Sequence, residues 1–136
     1  MNGSPSIALE KVCYVVIRAR EFDARYATDE PDASNASEDG FRDTLAARRH
    51  DPTVIELVEF IGAMDADELA EMVALLWVGR GDFSKDEWDA AVALARERRD
   101  NSTVRYLLGT PLLGDLLMEG LALFDLGCTE MEARHL

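Results

Sequence analysis

Trp77-Val78-Gly79-Arg80-Gly81-Asp82-Phe83-Ser84-Lys85-Asp86-Glu87-Trp88 is the stretch on which the fold turns. Upstream, Leu69, Met72, Val73, Leu76 and Trp77 spell a helix that is apolar nearly all round at its end, the pattern of the most buried element. Downstream, Ser84 with Glu87 three residues later reads as a capping box. Trp88, Ala91, Val92 and Ala95 then recur at helical spacing, and the alanines allow close helix approach. Between the two, Gly79 and Gly81 permit positive φ, so the chain can turn tightly. One helix stops and the next starts within a few residues, which is a corner of a helical protein.

The same periodicity extends in both directions. Ser4 and Pro5 read as the cap and first residue of a helix from about Pro5 to Ala27. Its buried stripe is Ala8, Val12, Val15, Ala19, Phe22 and Tyr26, widened by Leu9, Cys13 and Val16; Arg18, Arg20, Glu21, Asp23 and Arg25 form its outer face. Residues 28–40 hold no apolar side chain larger than alanine and are rich in acids and turn formers. That composition predicts an exposed acidic loop, with an acidic docking segment as the alternative. Phe41, Leu45 and Ala46 mark a short helix ending near His50. Asp51 and Pro52 open the next, with Val54, Ile55, Leu57, Val58 and Ile61 inward and Gly62 near its end. Asp65 with Glu68 resembles a capping box for the central helix. Arg96-Glu97-Arg98-Arg99 places cations at a helix C-terminus, where the dipole favours them. Val104 to Leu108 is a short helical turn. Thr110-Pro111 starts the last helix, with Leu112, Leu113, Leu116, Leu117, Leu121 and Phe124 as its apolar set and Gly127 as its stop. No segment alternates with period two between turns. The reading is all-α: a compact single-domain bundle of about six helices over residues 1–136, with one long acidic loop at 28–40 and a mobile tail at 128–136.

At 136 residues the chain fits one domain, and 48% apolar against 30% charged residues is a globular balance. A net charge of −13 opposes binding to phosphate-rich surfaces, so no nucleic acid and no membrane partner is expected. The charge favours solubility and leaves a basic partner patch as an alternative. Met1-Asn2-Gly3-Ser4-Pro5-Ser6 has no leader character and no apolar run reaches membrane-spanning length, which leads to a cytoplasmic expectation. Cys13 sits among Val12, Tyr14, Val15 and Val16 and reads as a small buried apolar residue. Cys128 follows Gly127, and a disulfide between the two cysteines stays open.

The motifs exclude more chemistry than they suggest. Gly81 to Trp88 mimics the second half of a calcium loop. Aligned that way, Leu76, Val78 and Arg80 occupy the positions where oxygen donors belong, so no calcium loop is read. The glycines are followed by no Lys-Ser/Thr and preceded by no strand, so they form no phosphate cradle. Arg80-Gly81-Asp82 spells an adhesion tripeptide, a chance match in a chain read as intracellular. His50 and His135 lack Cys or His partners at ligand spacing, the two Glu-x-x-His motifs that a di-iron bundle needs do not occur, and no serine or cysteine has a histidine placed as its base. No metal or cofactor is expected. Arg80 and Asp82 can pair with internal groups and lock the corner, or Arg80 can hold an anionic ligand or a partner carboxylate in bidentate fashion. Asp115 and Glu119, four apart on an otherwise apolar helix, repel unless a cation bridges them, and Arg105 is the expected bridge. The arginines from Arg96 to Arg105 have Tyr106 as their one interleaved aromatic, a helix-end pattern rather than a nucleic-acid surface.

At Leu76-Trp77-Val78-Gly79-Arg80-Gly81-Asp82-Phe83 and at Tyr106-Leu107-Leu108-Gly109-Thr110-Pro111-Leu112-Leu113-Gly114-Asp115 the chain resembles a small, functionally uncharacterised family of proteobacterial proteins, over roughly Ile7 to Leu126. The resemblance implies a free-standing intracellular bacterial domain and no particular activity. It singles out Trp77, Arg80, Asp82, Trp88, Tyr106, Pro111 and Asp115 as positions matching the family pattern. The functional expectation is a non-catalytic interaction or regulatory module, as a homodimer or with a protein partner. Leu112, Leu113, Leu116, Leu117, Met118, Leu121, Leu123 and Phe124 supply the apolar surplus behind the dimer. The alternative is a binder of a small anionic ligand, or a minor enzyme, with its site between the Gly79–Asp82 corner and the Arg105–Asp115 segment. The candidate residues are Arg80, Asp82, Trp88, Arg105, Tyr106, Asp115 and Glu119.

Overall fold

Helical periodicity produces six α-helices and no strand among residues 3–26, 50–98 and 103–129, which the computed structural model describes. They are α1 (Leu9–Tyr26), α2 (Pro52–Gly62), α3 (Ala66–Arg80), α4 (Trp88–Glu97), α5 (Thr103–Leu108) and α6 (Leu113–Leu123), with a short 3-10 turn at Lys85–Glu87 leading into α4. The all-α expectation holds. The acidic loop expected at 28–40, the short helix through Phe41 and Leu45, and residues 130–136 of the expected tail lie outside the described residues.

The central helix is the one the sequence pointed to. Every residue of α3 from Ala70 to Val78 is buried. Its start is fixed by a true capping box: Glu68 N–H donates to Asp65 Oδ1 at 2.8 Å and Asp65 N–H to Glu68 Oε1 at 3.0 Å. α6 packs along one side of α3 and α4 along another; α1 lies on α6 and α2, and α5 contacts α2. Trp88, Ala91, Val92 and Ala95 of α4 face inward as expected.

Glycine sets the distance between the main helices. Gly79 lies inside α3, so it is not a turn residue. A Cβ placed on it would stand 1.9 Å from the Leu116 carbonyl oxygen and 2.9 Å from Gly120 N. From the other side, a Cβ on Gly120 would stand 2.4 Å from the Leu75 carbonyl oxygen. The backbones of α3 and α6 therefore touch with no side chain between them. Gly114 does the same toward α1, where a Cβ would lie 2.9 Å from the Val16 carbonyl oxygen. Gly81 alone is the turn glycine, with φ 93°. Its N–H donates to Val78 O at 3.1 Å and Asp82 N–H to Trp77 O at 2.9 Å, a Schellman closure of α3.

Several element ends differ from the sequence reading. α1 begins at Leu9, not Pro5, because Ser6 and Ile7 are drawn onto α3. The Glu71 carboxylate, buried on α3, accepts from Ser6 N–H at 2.6 Å, Ser6 Oγ–H at 2.6 Å and Ile7 N–H at 3.0 Å. These donors compensate a carboxylate held away from water. α6 starts at Leu113, after Leu112 adopts φ 58° and stays 55% exposed, so Leu112 leaves the apolar set expected of it. α6 is stopped by Asp125 rather than Gly127. Asp125 takes φ 60°, its N–H reaches Ala122 O, and Leu126 N–H reaches Leu121 O, again a Schellman closure. Gly127 has no such conformation.

The charged face of α1 is a seam between helices rather than an outer surface. Arg18 pairs with Glu21 at 3.0 Å and with Glu56 of α2, and stacks over the Tyr14 ring. Arg20 pairs with Asp115 of α6 at 2.9 Å, and Arg25 with the α2 cap Asp51 at 2.8 Å. Cys13 and Cys128 form a disulfide with both residues buried. Cys13 is thus buried as expected but covalently bonded, and Cys128 belongs to the packed protein rather than to a tail.

The glycine contacts are tested by alanine. Gly79→Ala and Gly120→Ala are each expected to destabilise by about 3 kcal/mol or more, because helix backbones must separate to admit the methyl. A Cβ at Gly62 meets nothing within 4 Å. Gly62→Ala is therefore expected to be neutral or stabilising by up to about 1 kcal/mol. Urea unfolding midpoints of the three variants check the contrast; equal effects would remove the packing argument.

Candidate functional site

The corner after α3 gathers a set of mutually bonded polar side chains near the surface. Gly81 reverses the chain, so the Asp82 side chain folds back along the helix it has just left. Arg80 Nε and Nη2 both lie 2.8 Å from Asp82 Oδ2. Tyr106, delivered by α5, places its hydroxyl between two donors: the Trp77 indole N–H at 3.0 Å and Arg80 Nη2 at 3.2 Å. Trp77 is nearly fully buried, and an indole N–H at such a place needs an acceptor. Tyr106 supplies it. Phe83 stacks on Trp77 with ring centroids 5.6 Å apart. Partial burial works against the charge on Arg80, but its hydrogen bonds with Tyr106 and Asp82 outweigh that and hold its pKa above the ordinary arginine value. The guanidinium stays protonated throughout.

Some donors at this corner remain unused. The Tyr106 oxygen accepts twice, so both lone pairs are taken and its own proton is free to donate. Arg80 Nη1 has no partner among the described residues, and the Arg80 side chain is 40% exposed. The result is a guanidinium edge and a phenolic O–H beside stacked aromatics, a set complementary to a carboxylate or another oxyanion.

Of the sequence candidates, the fold brings Arg80, Asp82 and Tyr106 together and separates the rest. Trp88 is buried on the far side of the 3-10 turn, edge-on to Phe124 at 5.3 Å. Asp115 faces α1, where Arg20 holds it. Arg105 therefore does not bridge Asp115 and Glu119; it and Glu119 are exposed and form no ion pair among the described residues. Trp77 is buried in the core as the sequence reading placed it, and its N–H and its stacking on Phe83 make both rings part of the corner. The signal was a tryptophan whose buried N–H had no local acceptor. Among the described residues no group of three or more His, Cys, Asp or Glu is placed to hold a metal ion, and no helix is long and apolar enough to cross a membrane.

A helical domain whose polar corner is built from Trp77, Arg80, Asp82 and Tyr106 has the sequence counterpart the motifs suggested. The chain belongs to the DUF3775 family, described as proteins of unknown function, whose model matches residues 54–126, just over half of the chain. The match runs from Val54, within α2, through α6 and takes in the whole corner; it is narrower than the Ile7 to Leu126 span of the resemblance and leaves out α1 and both cysteines. No curated protein and no solved structure matches the chain.

A second polar feature lies where α1 meets α2, α5 and α6. Asp23 lines a cavity of about 20 Å³ with Ala19, Phe22, Leu57, Leu108, Thr110 and Leu113. Such a space holds one water. Burial, and then the charge of Asp115, raise the Asp23 pKa to about 6. A carboxyl raised in the folded state binds more protons folded than unfolded, so its contribution is present below the unfolded value and is lost as pH rises through about 6. Discounted for solvent screening of a partly exposed group, the loss is about 1 to 2 kcal/mol. Asp23→Asn is expected to be more stable than the parent by that amount at pH 7 and equal to it near pH 4. Chemical denaturation at the two pH values reads this directly, and a constant offset would contradict it.

Proposed function

We propose that this protein is a non-catalytic helical interaction or regulatory module of the bacterial cytoplasm, and that it engages a carboxylate of a protein partner at the Arg80–Tyr106 corner. The observation behind the reading is the pair of unused donors, Arg80 Nη1 and the Tyr106 O–H, held at a half-exposed position beside Trp77 and Phe83. Arginine and tyrosine on a rigid base are the side chains that dominate binding energy at protein interfaces. In a chain of net charge −13, a guanidinium with an open edge is a distinctive local feature. A second copy is the weaker choice of partner. Leu113, Leu117 and Leu121 are buried inside the protomer, and of the apolar surplus only Leu112 and Leu123 are exposed. A small anionic ligand at the same donors is the second reading, since free and protein-borne carboxylates share the recognition chemistry.

The two tryptophans make the test internal. Trp77 donates to Tyr106, whereas Trp88 is remote from the corner. In a two-dimensional NMR titration, an acidic peptide should move the Trp77 indole N–H resonance and leave that of Trp88 in place. Arg80→Ala should abolish the shift and Arg105→Ala should retain it. Saturation by acetate alone favours the small-ligand reading. If Trp77 stays still with every carboxylate, or moves equally in Arg80→Ala, the corner is structural only.

A further inference from the structure

We infer that the Cys13–Cys128 pair is a redox-controlled latch holding residues 127–129 against α1. The bond joins the first half of α1 to a residue beyond the end of α6, across a sequence separation of 115. Cys13 is fully buried in the core and Cys128 is 1% exposed. Around Cys128, however, the segment is nearly bare. Asp125, Leu126, Gly127 and Thr129 are all exposed, so Cys128 is the one buried side chain from 125 to 129. The Asp125 and Leu126 amides bond back onto α6, so that helix end is complete without the disulfide. Between Gly127 and Thr129 the side chain that holds the described residues on α1 is Cys128, through the disulfide. Breaking the bond therefore releases residues 127–129 from α1 while the closure of α6 stays in place.

Both cysteines fall outside the region shared with the family, one on each side of it. The latch thus ties the unmatched first helix to the unmatched end of the chain, across the shared helices. Closure converts two thiols and one small disulfide, such as oxidised glutathione, into the protein disulfide and two small thiols. Two electrons and two protons pass to the oxidant, and a thiol reductant reverses the step. In a reducing compartment such a pair cycles, and in an oxidising one it stays closed.

The test uses the full chain, oxidised with oxidised glutathione or reduced with excess thiol, then pulsed with iodoacetamide and read by mass spectrometry alongside amide hydrogen exchange. In the oxidised protein neither cysteine should react. In the reduced protein, Cys128 should alkylate within about tenfold of an unstructured cysteine, as expected for local opening of a segment with one buried side chain. Amides of the central helix, Met72 to Trp77, should keep their protection. Cys13→Ser should reproduce the open Cys128 without reductant. Three results overturn the latch: no bond forms with the oxidant, Cys128 stays protected when reduced, or the Met72 to Trp77 amides lose protection together with it.

Discussion

The backbone of α3 touches the backbone of α6, and most of the protein's geometry follows from that contact. Carbonyl oxygens of Leu75 and Leu116 occupy the places that Cβ atoms would fill at Gly120 and Gly79. Helices packed through ordinary side chains keep their axes 8 to 10 Å apart; a glycine on each side of the crossing permits a closer approach. Gly114, nearer the start of α6, repeats the device toward α1 through the carbonyl of Val16. α6 is thus wedged between α1 and α3, and its three buried leucines, Leu113, Leu117 and Leu121, fill the space beside the crossings.

This crossing also orients the candidate site. Gly79 immediately precedes Arg80, and Trp77 lies two residues earlier, so fixing Gly79 against α6 fixes the direction in which both side chains leave α3. Gly81 then ends the helix and returns Asp82 onto Arg80. Tyr106 arrives from α5, whose following turn is braced by Thr110 Oγ1 donating to the Tyr106 carbonyl at 2.9 Å. The phenol is therefore held by its own backbone as well as by the two donors it accepts. A site fixed by packed helix ends loses little entropy on binding, which is the physical basis for reading it as a recognition point.

The helices were legible because their signals are local. The Asp65–Glu68 box, the Asp51-Pro52 start and the stripe on α4 each need only a few neighbouring residues, and each is realised. What the sequence hid depends on distant partners. The start of α1 moved because Glu71, more than sixty positions away, takes the amides of Ser6 and Ile7. Gly79 and Gly81 look alike in sequence, yet one makes a helix contact and the other a left-handed cap. Asp125 replaced Gly127 as the end of α6 because a short polar side chain tolerates positive φ. The candidate site was half legible: Arg80 and Asp82 are neighbours in sequence, whereas Tyr106 joins them only through the α5 placement. Arg105 failed as a bridge because Asp115 faces α1, where Arg20 reaches it first.

The most direct measurement is a proton–proton Overhauser contact at the crossing in the unmodified protein. A Cβ direction at Gly79 ends 2.9 Å from Gly120 N, so an α-proton of Gly79 must lie close to the backbone protons of Gly120. A strong cross-peak between the two glycines is the predicted result. Helices intact by their own sequential contacts, with no cross-peak between Gly79 and Gly120, would contradict the account at its centre.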